Sequence, residues 1–109
     1  MINIYNKDCL DALKEMSDNQ FDLAIVDPPY GIDKLLYRSS YGKVVGGLTN
    51  YSQNRWDKEV PNDEYFYELM RVSKEQIVWG GNYFSVLWNK GCRGLITWDK
   101  MVYIPTMSR

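Results

Sequence analysis

An apolar run that ends abruptly on a carboxylate and two prolines constrains this chain more than any other feature. Phe21-Asp22-Leu23-Ala24-Ile25-Val26 reads as a buried strand, and Asp27-Pro28-Pro29-Tyr30 follows it directly. Neither proline has a backbone N–H, and both hold φ near one value, so the strand cannot continue past Asp27. A carboxylate and an aromatic ring are thus placed where a strand leaves its sheet. In open α/β sheets that is the end at which ligands bind.

The surrounding pattern alternates strands and helices. Ile2-Asn3-Ile4-Tyr5 has strand character, and Asp8 is positioned to cap a helix running to about Met16, with Cys9, Leu10, Leu13 and Met16 on its apolar face. Ser17-Asp18-Asn19-Gln20 is a turn. Residues 31 to about 60 lack periodicity and form a long loop, uncommon in a compact domain unless it is functional or disordered. Pro61-Asn62 opens a second helix with Asn62 as N-cap and Tyr65, Phe66, Leu69 and Met70 on its apolar face. Gln76-Ile77-Val78-Trp79 reads as a strand stopped by Gly80-Gly81, residues 82–88 as a short helix, and Leu95-Ile96-Thr97-Trp98 as a last strand with Trp98 in the core. The expectation is one α/β domain spanning 1–109, with a mainly parallel sheet and flanking helices.

Composition excludes several chemistries. The chain has 109 residues and no histidine, which rules out Ser-His and Cys-His catalysis and His-ligated zinc within it. No metal site is expected. Cys9 and Cys92 form no Cys-x-x-Cys unit and read as reduced thiols of a cytoplasmic protein. No stretch is apolar enough to span a membrane. Thirteen basic against fourteen acidic residues give a net charge of −1, so contact with nucleic acid has to come from a local patch. The loop offers one. From Gly31 to Lys58 five basic residues face two acidic ones, a local +3, while the remainder holds eight against twelve, or −4. Lys34, Arg38 and Lys43 are interleaved with Tyr37, Tyr41, Tyr51 and Trp56, a mixture suited to backbone contact and base stacking, and also to an ordinary solvated loop.

The tetrapeptide suits the grip of an exocyclic amine on a planar base. The lone pair of adenine N6 or cytosine N4 is delocalised into its ring. Acceptors on the two N–H groups favour a pyramidal nitrogen and offset the positive charge that develops as a methyl group arrives. Asp27 supplies a carboxylate, Pro28 a carbonyl, Pro29 no competing donor, and Tyr30 a ring to stack on the base. A base held this way has left its duplex. The plain alternative is a turn with Tyr30 packed on the core.

Asp-Pro-Pro-Tyr after an apolar strand resembles the catalytic motif of the amino-methyltransferases that act on DNA with S-adenosylmethionine. Asp8-Cys9-Leu10 before a helix, upstream of that motif, is similar to the start of the permuted, beta-type members. Val78-Trp79-Gly80-Gly81-Asn82-Tyr83-Phe84 and Ile96-Thr97-Trp98-Asp99-Lys100 resemble segments downstream of the motif in phage-type members. The resemblance covers nearly the whole chain. It implies a partial, Rossmann-like methyltransferase sheet and transfer to adenine N6, cytosine N4 being the nearest rival. It further implies S-adenosylmethionine as cofactor and double-stranded DNA with a flipped base as partner. It places the protein in a bacterial or phage-infected cell, in DNA methylation of the restriction-modification kind. On it, Asp27 and the Pro28 carbonyl bind the amine, Tyr30 stacks on the base, and Asp8 lies near the cofactor's adenine, a role that competes with helix capping. Trp79-Gly80-Gly81-Asn82 reads either as a plain turn or as a close approach of backbone to ligand.

The family's glycine-rich Phe-x-Gly-x-Gly turn, which admits the methionine end of the cofactor, is not in this sequence. The expectation is therefore an incomplete N-terminal catalytic portion that needs its C-terminal half or a partner chain. An inactive prophage remnant and a split-enzyme half are the alternatives. A non-catalytic nucleic-acid-binding module is disfavoured by the near-zero net charge.

Overall fold

The computed structural model describes residues 1–32, 57–99 and 101. The longest element is helix α2, Asp63–Val72, which forms as its sequence dictates. The Asn62 side chain accepts the Tyr65 backbone N–H at 3.1 Å, and Asp63 and Glu64 place negative charge in the first turn. Tyr65, Phe66, Leu69 and Val72 recur at helical spacing and are all buried. The helix passes into strand β2, Ser73–Val78, with no intervening loop. Ser73 makes the change of direction: its hydroxyl donates to the Leu69 carbonyl at 2.5 Å and its own carbonyl accepts from Gln76 Nε2 at 2.7 Å.

Strand β1, Phe21–Val26, pairs in parallel with β2, in a register that sets Phe21 opposite Ser73 and Val26 opposite Val78. The strands therefore end level, and the Trp79 N–H reaches the Val26 carbonyl at 2.9 Å just beyond the ladder. Ala24, Val26 and Val78 point to one face of the pair and pack on the core formed by Tyr65, Phe66, Leu69, Phe84 and Val86. Phe66 and Phe84 are its centre, 1% and 2% exposed with ring centroids 4.9 Å apart. Phe84 enters from a one-turn 3₁₀ segment, Gly81–Tyr83, that leads into helix α3, Ser85–Lys90.

Helix α1, Cys9–Lys14, lies against α2. Asp8 caps it, accepting from the backbone N–H of Leu10 at 2.9 Å and of Asp11 at 3.1 Å. Arg71 at the end of α2 holds its other end. The guanidinium donates to the carbonyls of Leu13 and Met16 and pairs with Asp18 and Glu68, all within 3.0 Å. A fork of fixed geometry thereby ties the end of α1 and the turn after it to α2. Its neighbouring carboxylates hold the guanidinium charged, raising its pKa above an already high value.

Four expectations need correction. Ile2–Tyr5 forms no strand; Ile2 and Ile4 are about nine-tenths exposed. Leu95–Trp98 forms none either, and Trp98 is 63% exposed, its ring beside that of Trp79 at 5.2 Å. Both stretches have strand propensity, but neither pairs with the outer edge of β1 or β2, and propensity without a partner makes no strand. The third concerns β1, which is not buried on both faces. Phe21, Leu23 and Ile25 alternate away from the core and, with Ile77 of β2, lie on a sheet face that no described element covers. On α1, Cys9 is exposed rather than on the packed face, which is carried by Leu10 and Leu13. What stands is a small α/β unit, two parallel strands with helices on one face. No helix among the described residues is long and apolar enough to cross a membrane.

Phe66→Ala is expected to lower the unfolding free energy by about 3–5 kcal/mol, because a fully buried ring leaves a cavity. Tyr67→Ala, one position on but half exposed beneath Lys90, is expected to cost only about 0.5–1 kcal/mol. Urea denaturation of the two variants checks the contrast.

Candidate active site

The level strand ends bring two segments together that lie fifty residues apart in sequence. Asp27-Pro28-Pro29-Tyr30 leaves β1 and Trp79-Gly80-Gly81 leaves β2, side by side at the carboxyl edge. Pro28 is buried, Tyr30 half-buried, and the Asp27 side chain reaches solvent. The Tyr30 hydroxyl donates to Asp27 Oδ1. Asp27 Oδ2 and the Pro28 carbonyl accept no hydrogen bond from any described residue, and no described lysine or arginine pairs with Asp27. The edge thus presents two acceptors next to an aromatic ring.

Tyr30 is held by three contacts besides Asp27. Its ring stacks on Tyr83, centroids 5.0 Å apart and planes 15° from parallel. It tilts against the buried Phe84 at 6.1 Å. The backbone of Gly80 fills the remaining space so closely that a Cβ there would lie 2.1 Å from Tyr30 Cε1. Gly80 also has φ +66°, a left-handed conformation that favours glycine. The turn reading of Trp79-Gly80-Gly81 is therefore the one seen. The segment is a turn, and it does permit a close approach, but of the Tyr30 ring. Burial and the Asp27 carboxylate together push the Tyr30 phenol up to about 12. The ring is neutral, and a hydrogen-bond donor, at any ordinary pH.

Asp57, which sequence reasoning left out of the site, steadies the other side of the tetrapeptide. It is 8% exposed and accepts the Gly31 N–H at 2.7 Å. Gly31 itself has φ +71° and lies against the backbone of Glu59 and Val60. The contact joins the residues on either side of segment 33–56. An acidic residue after Trp56 gave no signal, because a carboxylate in a loop reads as solvated until its donor, twenty-six residues away, is known. Tyr83 was equally silent: in a short helix its ring is ordinary packing.

Of the other expected residues, Asp8 stands at the start of α1. The Asp8 carboxylate caps α1 through Oδ1, as its capping reading has it. Lys34, Arg38, Tyr41 and Lys43 lie outside the described residues. The described glycines face different neighbours and form no common cradle. Gly80 is filled by Tyr30, and around Gly91 and Gly94 no atom stands within 4 Å of where a side chain would begin. Comparison with models of protein families, with curated proteins and with solved structures found no match.

Gly80→Ala is expected to dislodge Tyr30. The added methyl cannot share space with the ring, and the positive φ adds about 1–2 kcal/mol of strain. Lower thermal stability with an altered near-ultraviolet tyrosine circular dichroism band is the expected reading. An unchanged band would mean that Gly80 does not position the ring.

Alkali gives a second test. Tyr30 and Tyr65 both have folded pKa values raised from 10.0 to about 12, Tyr65 chiefly by burial. A raised value in the folded state favours folding below the unfolded pKa. The contribution is therefore complete below pH 10 and is lost as pH rises from there through about 12. Ultraviolet titration of tyrosinate is expected to show a late-ionising class in the native protein, reduced by Tyr30→Phe and abolished by denaturant.

Proposed function

We propose that this chain is the amine-binding portion of an S-adenosylmethionine-dependent DNA methyltransferase acting on adenine N6. The observation that carries the reading is the pair of open acceptors, Asp27 Oδ2 and the Pro28 carbonyl, beside the Tyr30 ring at the carboxyl edge of two parallel strands. Two N–H groups of one amine need two acceptors, and a planar base needs a flat apolar surface. Asp27 accepts one N–H and favours the pyramidal nitrogen that reacts. The Pro28 carbonyl accepts the other from a backbone whose φ is fixed by its ring. Tyr30, pinned by Gly80 and Phe84, sets the plane in which the base lies. Preorganised acceptors of this kind need no rearrangement as charge develops, and removing one costs about 10²–10³ in rate. The Asp-Pro-Pro-Tyr resemblance, an aspartate rather than a serine at the first position, and the Rossmann-like placement of the motif at a strand end all favour adenine.

The donor's seat belongs, in this proposal, to another polypeptide segment or a partner chain. Two observations support that. The described glycines form no cradle for the methionine end, and the sheet face bearing Phe21, Leu23, Ile25 and Ile77 is apolar and uncovered. Parallel strands are ordinarily covered on both faces. One complementing half supplies both wants.

Transfer of labelled methyl from S-adenosylmethionine to adenine-containing duplex DNA, with the polypeptide encoded immediately downstream supplied, tests the function. Asp27→Ala is expected to lower transfer by about 10²–10³-fold while leaving the circular dichroism spectrum intact. Undiminished transfer would remove Asp27 from the site. Calorimetric titration of the chain alone with S-adenosylmethionine is expected to show no tight binding. A strong isotherm would refute the divided-site arrangement.

A further inference from the structure

Resting on that reading, we infer that the target base takes the place of Tyr83: the face of Tyr30 now covered by the Tyr83 ring is the seat of the planar substrate. The two rings lie 5.0 Å apart at their centroids and 15° from parallel, an offset stack of the kind a heteroaromatic ring forms with tyrosine. The edge of Tyr30 that carries its hydroxyl is the edge that meets Asp27. A six-membered amine-bearing ring stacked on Tyr30 in place of Tyr83 therefore has an acceptor at its rim.

The neighbours of Tyr30 differ in their ability to yield. Gly80 contributes backbone, which cannot rotate aside, and Phe84 is 2% exposed at the centre of the core. Tyr83 is 41% exposed, on a single 3₁₀ turn entered through Gly80 and Gly81, and is attached to the fold chiefly by the buried Phe84 that follows it. Its ring is free to swing towards solvent on a side-chain torsion, with no core contact broken. Without substrate it shields the apolar face of Tyr30 from water. With substrate it is the competitor that must leave. A stack with a nucleobase is stronger than one with a second tyrosine, so the exchange runs in the substrate's favour.

Substitutions at position 83 separate this arrangement from one in which Tyr83 is a second wall that sandwiches the base. The probe is a fluorescein-labelled single-stranded oligodeoxynucleotide with one central adenine, its affinity measured by anisotropy against the same strand carrying an abasic site there. The difference isolates the base. Tyr83→Ala and Tyr83→Leu are expected to tighten the adenine-dependent part by about two- to tenfold, the worth of one tyrosine stack. Tyr83→Trp, a larger competitor, is expected to weaken it. Tyr30→Ala is expected to lower it by about five- to hundredfold. Loss on Tyr83→Ala with gain on Tyr83→Trp would make Tyr83 a wall and overturn the inference, while the Tyr30 result left the base-binding reading intact. Indifference to every change at position 83 would overturn it likewise. An adenine strand bound no better than the abasic one by wild type would overturn both readings. A misfolded variant cannot bind more tightly, so a gain has one meaning.

Discussion

Two parallel strands that end at the same level determine nearly everything else in this molecule. Val26 stands opposite Val78, and the Trp79 N–H closes the ladder on the Val26 carbonyl. A shift of one residue would turn Ala24 and Val26 away from the core and bring Leu23 and Ile25 towards it. It would also carry Gly80 out of reach of Tyr30. The register is fixed from the helix side. Val72 is the last residue of α2 and Ser73 the first of β2, so the buried face of the helix and the phase of the strand are one rigid choice.

From that register the site follows by contact. The prolines end β1 and turn Tyr30 back over the core; glycine at 80 leaves room for the ring; Phe84 and Tyr83 hold it from below and beside. Asp27, at the last position before the prolines, is left at the surface with its partner hydroxyl three residues on. The acceptor and the ring are therefore positioned by different elements that meet only when β1 and β2 pair. Arg71 plays the corresponding part at the opposite end, joining the close of α1, the turn at Asp18 and the end of α2 in one group of hydrogen bonds.

Local signals were legible in the sequence, and contacts over distance were not. Asn62 as cap and Tyr65, Phe66 and Leu69 as an apolar face are decided within one helix, and α2 has them as expected. Asp8 capping α1 is likewise a matter of three residues. Ile2–Tyr5 and Leu95–Trp98 carry equally clear strand propensity, yet a strand exists only against a neighbour, and neither stretch pairs with the outer edge of β1 or β2. Asp27 to Tyr30 were legible as a strand end, because proline dictates it. That Gly80 serves the ring of Tyr30, and that Asp57 binds the Gly31 amide, depends on a fold that brings positions 30 and 80, or 31 and 57, together. No pattern in either segment encodes the partner.

The uncovered sheet face has a consequence for the life of the protein in its host. Phe21, Leu23, Ile25 and Ile77 form a patch of the sort that chaperones grip and proteolytic machinery uses to single out orphan subunits. A copy whose patch stays bare is open to that clearance. The expected signature is a half-life in cells that lengthens when Leu23 and Ile25 are replaced by threonine.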